Sequence, residues 1–180
     1  MSGNYTTQNS LLLDNLLKFY NKDNNLQKIL PIINGESEIS LRLIDWFVTN
    51  YAKKNFTVYK KGNERFKVYI DYKLKLKAYS KKRFDPFCRW DRINIPYSDD
   101  TYIQTTIGQL NFFRWALENK IIYHIKENMK QIVNDMNKRN STSKKRKDVK
   151  KKTRKRREEL SICASKSIKK EKVEIVVNFD

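Results

Sequence analysis

Residues 144–157 read KKRKDVKKKTRKRR, eleven Lys or Arg against one acid, Asp148. A net +10 within 14 residues suits one kind of chemistry, the neutralisation of a polyanion. Each phosphate neutralised releases condensed counterions, so affinity would fall with salt at a slope of about −0.9 per contact. The expected contacts are Lys144, Lys145, Arg146, Lys147, Lys150, Lys151, Lys152, Arg154, Lys155, Arg156 and Arg157. No aromatic residue lies in the run, so it offers no stacking platform and no base readout, and binding through it would be indifferent to sequence. Like charges this dense repel and cannot be buried, so the segment is expected to be solvated and mobile until a polyanion meets it. KKRK also has the form of a nuclear import signal. The plainest alternative is a solubilising tail.

A second basic surface has two parts. Lys73, Lys75 and Lys77 alternate with apolar residues over 66–79, and on a strand such same-face residues stand about 6.6–6.8 Å apart, comparable with successive phosphates of an extended backbone. Lysines on the solvated face of a sheet are also ordinary, which favours the plainer reading. The segment SKKRFDPFCRWDR (80–92) sets Lys81, Lys82, Arg83, Arg89 and Arg92 among Phe84, Phe87 and Trp90. Cations beside aromatics can hold phosphate and stack bases. The better-supported alternative has the three aromatics anchoring a loop on the core, with Arg89 paired to Asp85 or Asp91.

Asp71-Tyr72-Lys73 is an acid-x-Lys unit of the kind a metal-dependent nuclease carries on a strand. Such a site needs a further carboxylate for the metal, and Glu36, Glu38, Asp45 and Glu64 are the nearest. The pattern is common in any Lys-rich chain, so the nuclease is the weakest of three readings, and no enzyme, cofactor or metal is expected. The single histidine, His124, excludes a multi-histidine metal centre and reads as a packing residue. Two cysteines, Cys88 and Cys163, exclude a disulfide scaffold.

The elements that must position these groups are written in the 180 residues around them. Hydrophobic residues make up 39% and aromatics 12%, lean but enough for a core. No apolar run approaches the roughly 18–20 residues that span a bilayer, and the first, 11–17, is interrupted by Asp14 and Asn15, so neither a signal peptide nor a membrane is expected. Residues 1–36 read as a polar segment with a short helix at 11–20 and a loop punctuated by Pro31 and Gly35. Ile39, Leu43, Phe47 and Tyr51 recur at helical spacing over 37–55, with Ser37 as cap. Lys61-Gly62-Asn63 signals a turn. Strict alternation over 66–79 then predicts strand, broken near Asp71 because so long a strand is unusual. Ile93 and Ile95 fit a short strand. Thr106 and Gln109 form a capping box for helical spacing that runs to Met136, with a break at Asn119-Lys120. Val173, Ile175 and Val177 alternate in a terminal strand over 172–180. If it rejoins the sheet, 138–171 is a tethered basic loop.

The expectation is therefore an α+β domain over 37–137, a small antiparallel sheet packed with two main helices, plus a Lys/Arg-rich mobile segment. Three stretches, LRLIDWFVTNYAKKN (41–55), KAYSKKRFDPFCRWDRI (77–93) and TTIGQLNFFRWALENKIIYHI (105–125), resemble an uncharacterised family of small basic proteins from nucleocytoplasmic large DNA viruses of the mimivirus kind. The 28 Lys, 18 Asn and 17 Ile match the bias of an AT-rich genome. The resemblance implies a setting, a virion or a cytoplasmic viral factory, and carries no functional residues. The function expected is sequence-nonspecific nucleic-acid binding or compaction, with DNA as the target. The alternative is a structural virion or assembly protein that contacts other virion or factory proteins.

Overall fold

The computed structural model describes residues 7–98, 101–149 and 170–172. Helix α1 (Gln8–Tyr20) starts at Thr7, whose hydroxyl accepts from Ser10 N at 3.2 Å. α2 (Asn25–Asn34) carries Pro31 inside it and ends at Gly35, whose φ of 76° is the left-handed cap that glycine allows. Pro31 and Gly35 thus belong to a helix and its cap rather than to a loop. Pro31 sits late enough that the peptide N–H it lacks costs one bond, while its carbonyl accepts from Glu36 N and Ser37 N. Both helices are in the core through Leu16, Tyr20, Leu26, Ile29 and Leu30.

The next helix runs as α3 (Leu41–Trp46), a π-helical turn (Phe47–Tyr51) and α4 (Ala52–Lys54). Its cap is Ser40, whose hydroxyl accepts from Leu43 N at 3.1 Å. Ser37, the expected cap, instead receives Ile39 N in the approach to the helix. The apolar stripe is as read: Ile39, Leu43, Ile44, Phe47 and Val48 are all buried.

Strands β1 (Val58–Lys61) and β2 (Glu64–Lys67) pair antiparallel with Lys61 opposite Glu64. The two-residue loop is Gly62-Asn63, with Gly62 at φ 61°, as a hairpin with glycine first requires.

Immediately after β2 the chain becomes helix α5 (Val68–Phe84), and the long strand expected over 66–79 does not form. The reason is a double periodicity. Val68, Tyr72 and Leu76 satisfy alternation and also stand one helical turn apart, and with Tyr79 they make a stripe that faces the core. Ile70 and Leu74, the leftover apolar positions, lie 52% and 60% exposed. Leucine, lysine and alanine are strong helix formers, which favours this outcome. Ser80 interrupts the helix with φ 64° and ψ 168°.

β3 (Arg92–Ser98) and β4 (Thr101–Thr106) form a second antiparallel pair with a bulge at Pro96, on the edge strand where proline is tolerated. Residues Lys170–Lys172 (β5) pair with the other edge of β4. The chain therefore rejoins the sheet after the basic run, at 170–172; the alternating Val173, Ile175 and Val177 lie outside the described residues, as does Cys163.

Helix α6 (Ile107–Glu118) is the centre of the molecule. Thr106 caps it, accepting from Gln109 N at 3.1 Å. Its first two turns are buried on every side, and their polar groups are satisfied: Asn111 donates to Arg83 O at 2.9 Å, and Thr105 donates to Gln109 Oε1. Tyr20 of α1 donates to Leu110 O at 2.6 Å. Phe84, Phe112, Trp115 and Tyr72 make an edge-to-face aromatic cluster between α5 and α6. The predicted break falls at Asn119-Lys120, with Lys120 left-handed at φ 56°, and α7 (Ile121–Glu127) follows. α8 (Met129–Val149) then docks through Ile132, which is fully buried, and through Asp135, which accepts from the Trp46 indole at 3.3 Å. The fold is α+β with small antiparallel sheets, as expected. The helical part is larger than two helices, and the described strands form two sheets rather than one.

Candidate nucleic-acid interface

The two basic stretches differ in backbone geometry from what was expected of them. In α8, Lys144, Lys145, Arg146 and Lys147 occupy one complete helical turn. The start of the basic run is therefore helix, not a coil. Lys150, Lys151, Lys152, Arg154, Lys155, Arg156 and Arg157 lie outside the described residues.

The stripe of Lys73, Lys75 and Lys77 is not formed. On α5, Lys73 and Lys77 share a face one turn apart, while Lys75 is swung to the other side and is half-buried. The same change removes the strand that would carry an acid-x-Lys unit: Asp71 sits in the first turn of α5 and accepts from the Trp115 indole at 2.5 Å. No group of three His, Cys, Asp or Glu among the described residues could hold a metal.

The segment 80–92 divides its aromatics between the core and the surface. Phe84 is fully buried and Phe87 packs on the core, so two of its three aromatics are anchors. Asp85 accepts from Phe87 N at 2.9 Å, and no ion pair joins Arg89 to Asp85 or Asp91 among the described residues. Trp90 is different. It is 37% exposed, and the Lys82 ammonium lies 3.7 Å above its ring. Arg83 donates through Nε to Asn9 at 2.7 Å and through Nη1 to Gln8 at 3.0 Å. Lys82, Arg83, Trp90, Ser80, Asn9 and Ile107 line a cavity of about 230 Å³. Lys81 and Arg89 are exposed on the flanking chain, and Arg92, at the start of β3, donates to Gln104. The structure thus brings Lys82 and Arg83 together with Trp90, and leaves Arg92 on the sheet. Asn9 and Gln8 were not legible as partners, because nothing local in the first helix marks them and they lie 74 and 75 residues away from Arg83.

His124 is stacked on Tyr59 at 4.8 Å and lies tilted against Phe47 at 5.5 Å, and burial holds its pKa below the usual imidazole value. That is the packing role read from the sequence. Tyr59 and Lys61 of the hairpin both reach Asn119, through its carbonyl and its side-chain oxygen respectively, which ties β1 to the joint between α6 and α7.

One carboxyl stands out. Burial, with the Asp85 charge added to it, pushes Asp45 up to about 7. Its unfolded value lies near 4, so the native state holds a proton that the unfolded chain releases between about pH 4 and 7. Stability should fall as pH rises through that window and stay low above it. Asp45→Asn is expected to raise stability by roughly 1–3 kcal/mol at pH 8, the shift discounted for partial exposure, and by little at pH 4. Urea unfolding at the two pH values measures the difference.

A family model described as "Family of unknown function (DUF7197)" matches residues 2–179. The chain belongs to the DUF7197 family. It is also similar to "Uncharacterized protein L507" of Acanthamoeba polyphaga mimivirus, with 44% identity over 156 residues, 81% of this chain and 59% of that protein. The chain spans about three fifths of the length of this viral relative. No solved structure matches. The expected kinship with an uncharacterised viral family is borne out at that level. DUF7197 membership brings no assigned residue with it, so the function must be argued from this chain. No helix among the described residues is long and apolar enough to cross a membrane.

Proposed function

We propose that the protein binds nucleic acid without sequence selectivity, with duplex DNA as the principal target and compaction as the outcome. The observation that carries this reading is the eleven cations in fourteen residues of 144–157, the first of which lie on the end of α8. Up to ten phosphate contacts would follow from the net charge of that run. The similarity to a mimivirus protein supports a virion or cytoplasmic factory as the setting; the KKRK form of 144–147 supports the nucleus as the alternative.

Affinity for duplex DNA, single-stranded DNA and RNA should be measured in parallel across a salt titration. Binding to all three is expected, with affinity for duplex falling about 10³- to 10⁵-fold between 50 and 200 mM salt. A flat salt dependence would refute the reading.

A second reading, a virion or assembly protein that works through protein contacts, draws on one observation. Phe56 takes the left-handed conformation (φ 46°) that lets Thr57 N close on Ala52 O at the end of the helix, and its ring is left 85% exposed, an apolar surface a protein partner could cover.

A further inference from the structure

The cleft at Trp90 carries more than general basicity. Three of its features are independent. Lys82 and Arg83 lie side by side with no acidic partner among the described residues, and Arg83 Nη2 makes no hydrogen bond there. Trp90 is partly open to solvent although the other aromatics of its segment are packed away. Ser80, which lines the same cavity, has φ 64° and ψ 168°, a region that costs a non-glycine residue about 1–3 kcal/mol and is found at ligand clamps. The strain sits where the chain leaves the first part of α5, directly before Lys81, Lys82 and Arg83.

We infer that this cleft takes one nucleotide unit of a single strand, with its phosphate between Lys82 and Arg83 and its base against the Trp90 indole. The inference rests on the nucleic-acid reading above and adds a strand preference to it. Arg83 donates Nε to Asn9 and Nη1 to Gln8, which fixes the guanidinium and leaves Nη2 to an anion. A phosphate is a stronger partner for the Lys82 ammonium than the indole face is, so its arrival draws the ammonium off the ring and bares that face to a base. The cavity, about 230 Å³, is smaller than the roughly 300–1,000 Å³ of a typical small-molecule pocket. It suits a single unit of a strand that continues outside. Duplex bases are stacked on one another and cannot reach the indole.

The test uses the full chain with a 20-nucleotide oligothymidylate and a duplex of the same length. Trp90→Ala should weaken single-strand binding about 5- to 100-fold, the range of one base–aromatic stack, and change duplex binding less than about twofold. Trp90→Phe should restore most of the loss. Lys82→Ala, at an exposed position that cannot unfold the protein, should lower the single-strand salt slope by about one. Equal losses on both substrates, or no loss with either variant while the wild type binds both, would overturn the inference alone. A wild type that binds neither substrate at low salt would overturn the nucleic-acid reading with it.

Discussion

Replacing all eleven Lys and Arg of 144–157 with Gln is expected to remove tight duplex binding at physiological salt. Glutamine keeps helix propensity close to that of lysine and arginine, so α8 persists and the change isolates charge. The wild type, with up to ten phosphate contacts, would lose about five decades of affinity between 50 and 200 mM salt; the variant, left with the two or three contacts of the folded domain, would lose between one and two. At 150 mM the variant should bind more weakly by at least about a thousandfold. A variant that binds duplex as the wild type does at that salt would place the activity elsewhere on the molecule.

The second large effect is on stability. Gly108→Ala should destabilise the protein by about 1–3 kcal/mol net, although helix propensity alone favours alanine by up to about 1 kcal/mol. A Cβ there would stand 2.9 Å from Lys82 O, 3.0 Å from Asp85 O and 3.3 Å from Phe84 N. All three are backbone atoms and cannot turn aside. α6 would have to lift from the 82–85 chain, breaking the Asn111 bond to Arg83 O and opening the pocket around Phe84. The lost hydrogen bond contributes about 1 kcal/mol and the overpacking about 1–3 kcal/mol. Urea unfolding reads the sign directly: a more stable variant would mean that this close approach is absent in solution.

What was legible in the sequence is mostly local. The Thr106 cap, the turn at Gly62-Asn63 and the break at Asn119-Lys120 each depend on the conformational preference of one or two residues and their immediate neighbours. The stretch 66–79 was misread because its even-numbered apolar positions satisfy two periods at once. What decides between the periods is distant: Tyr72 packs under α6, and Asp71 takes the Trp115 indole, 44 residues on. The candidate cleft was half legible. Lys82, Arg83 and Trp90 were visible as interleaved cations and aromatics, whereas Asn9 comes to Arg83 only through the packing of α1.

The π turn at Phe47–Tyr51 has a consequence for chain length. Ala52 N donates to Phe47 O, five residues back, and the Thr49 hydroxyl donates to Asp45 O at 2.6 Å. The helix between Leu41 and Lys54 therefore stores one residue more than a regular spiral with the same two flanking faces would use. Loss of one residue inside 47–51 would let the turn close as ordinary α-helix, with Leu43 and Ala52 still facing inward. Loss of one residue anywhere else in the helix would rotate everything beyond it by about 100° and carry Ala52 off the core. This five-residue window is where the helix can change its length by one and keep its seat.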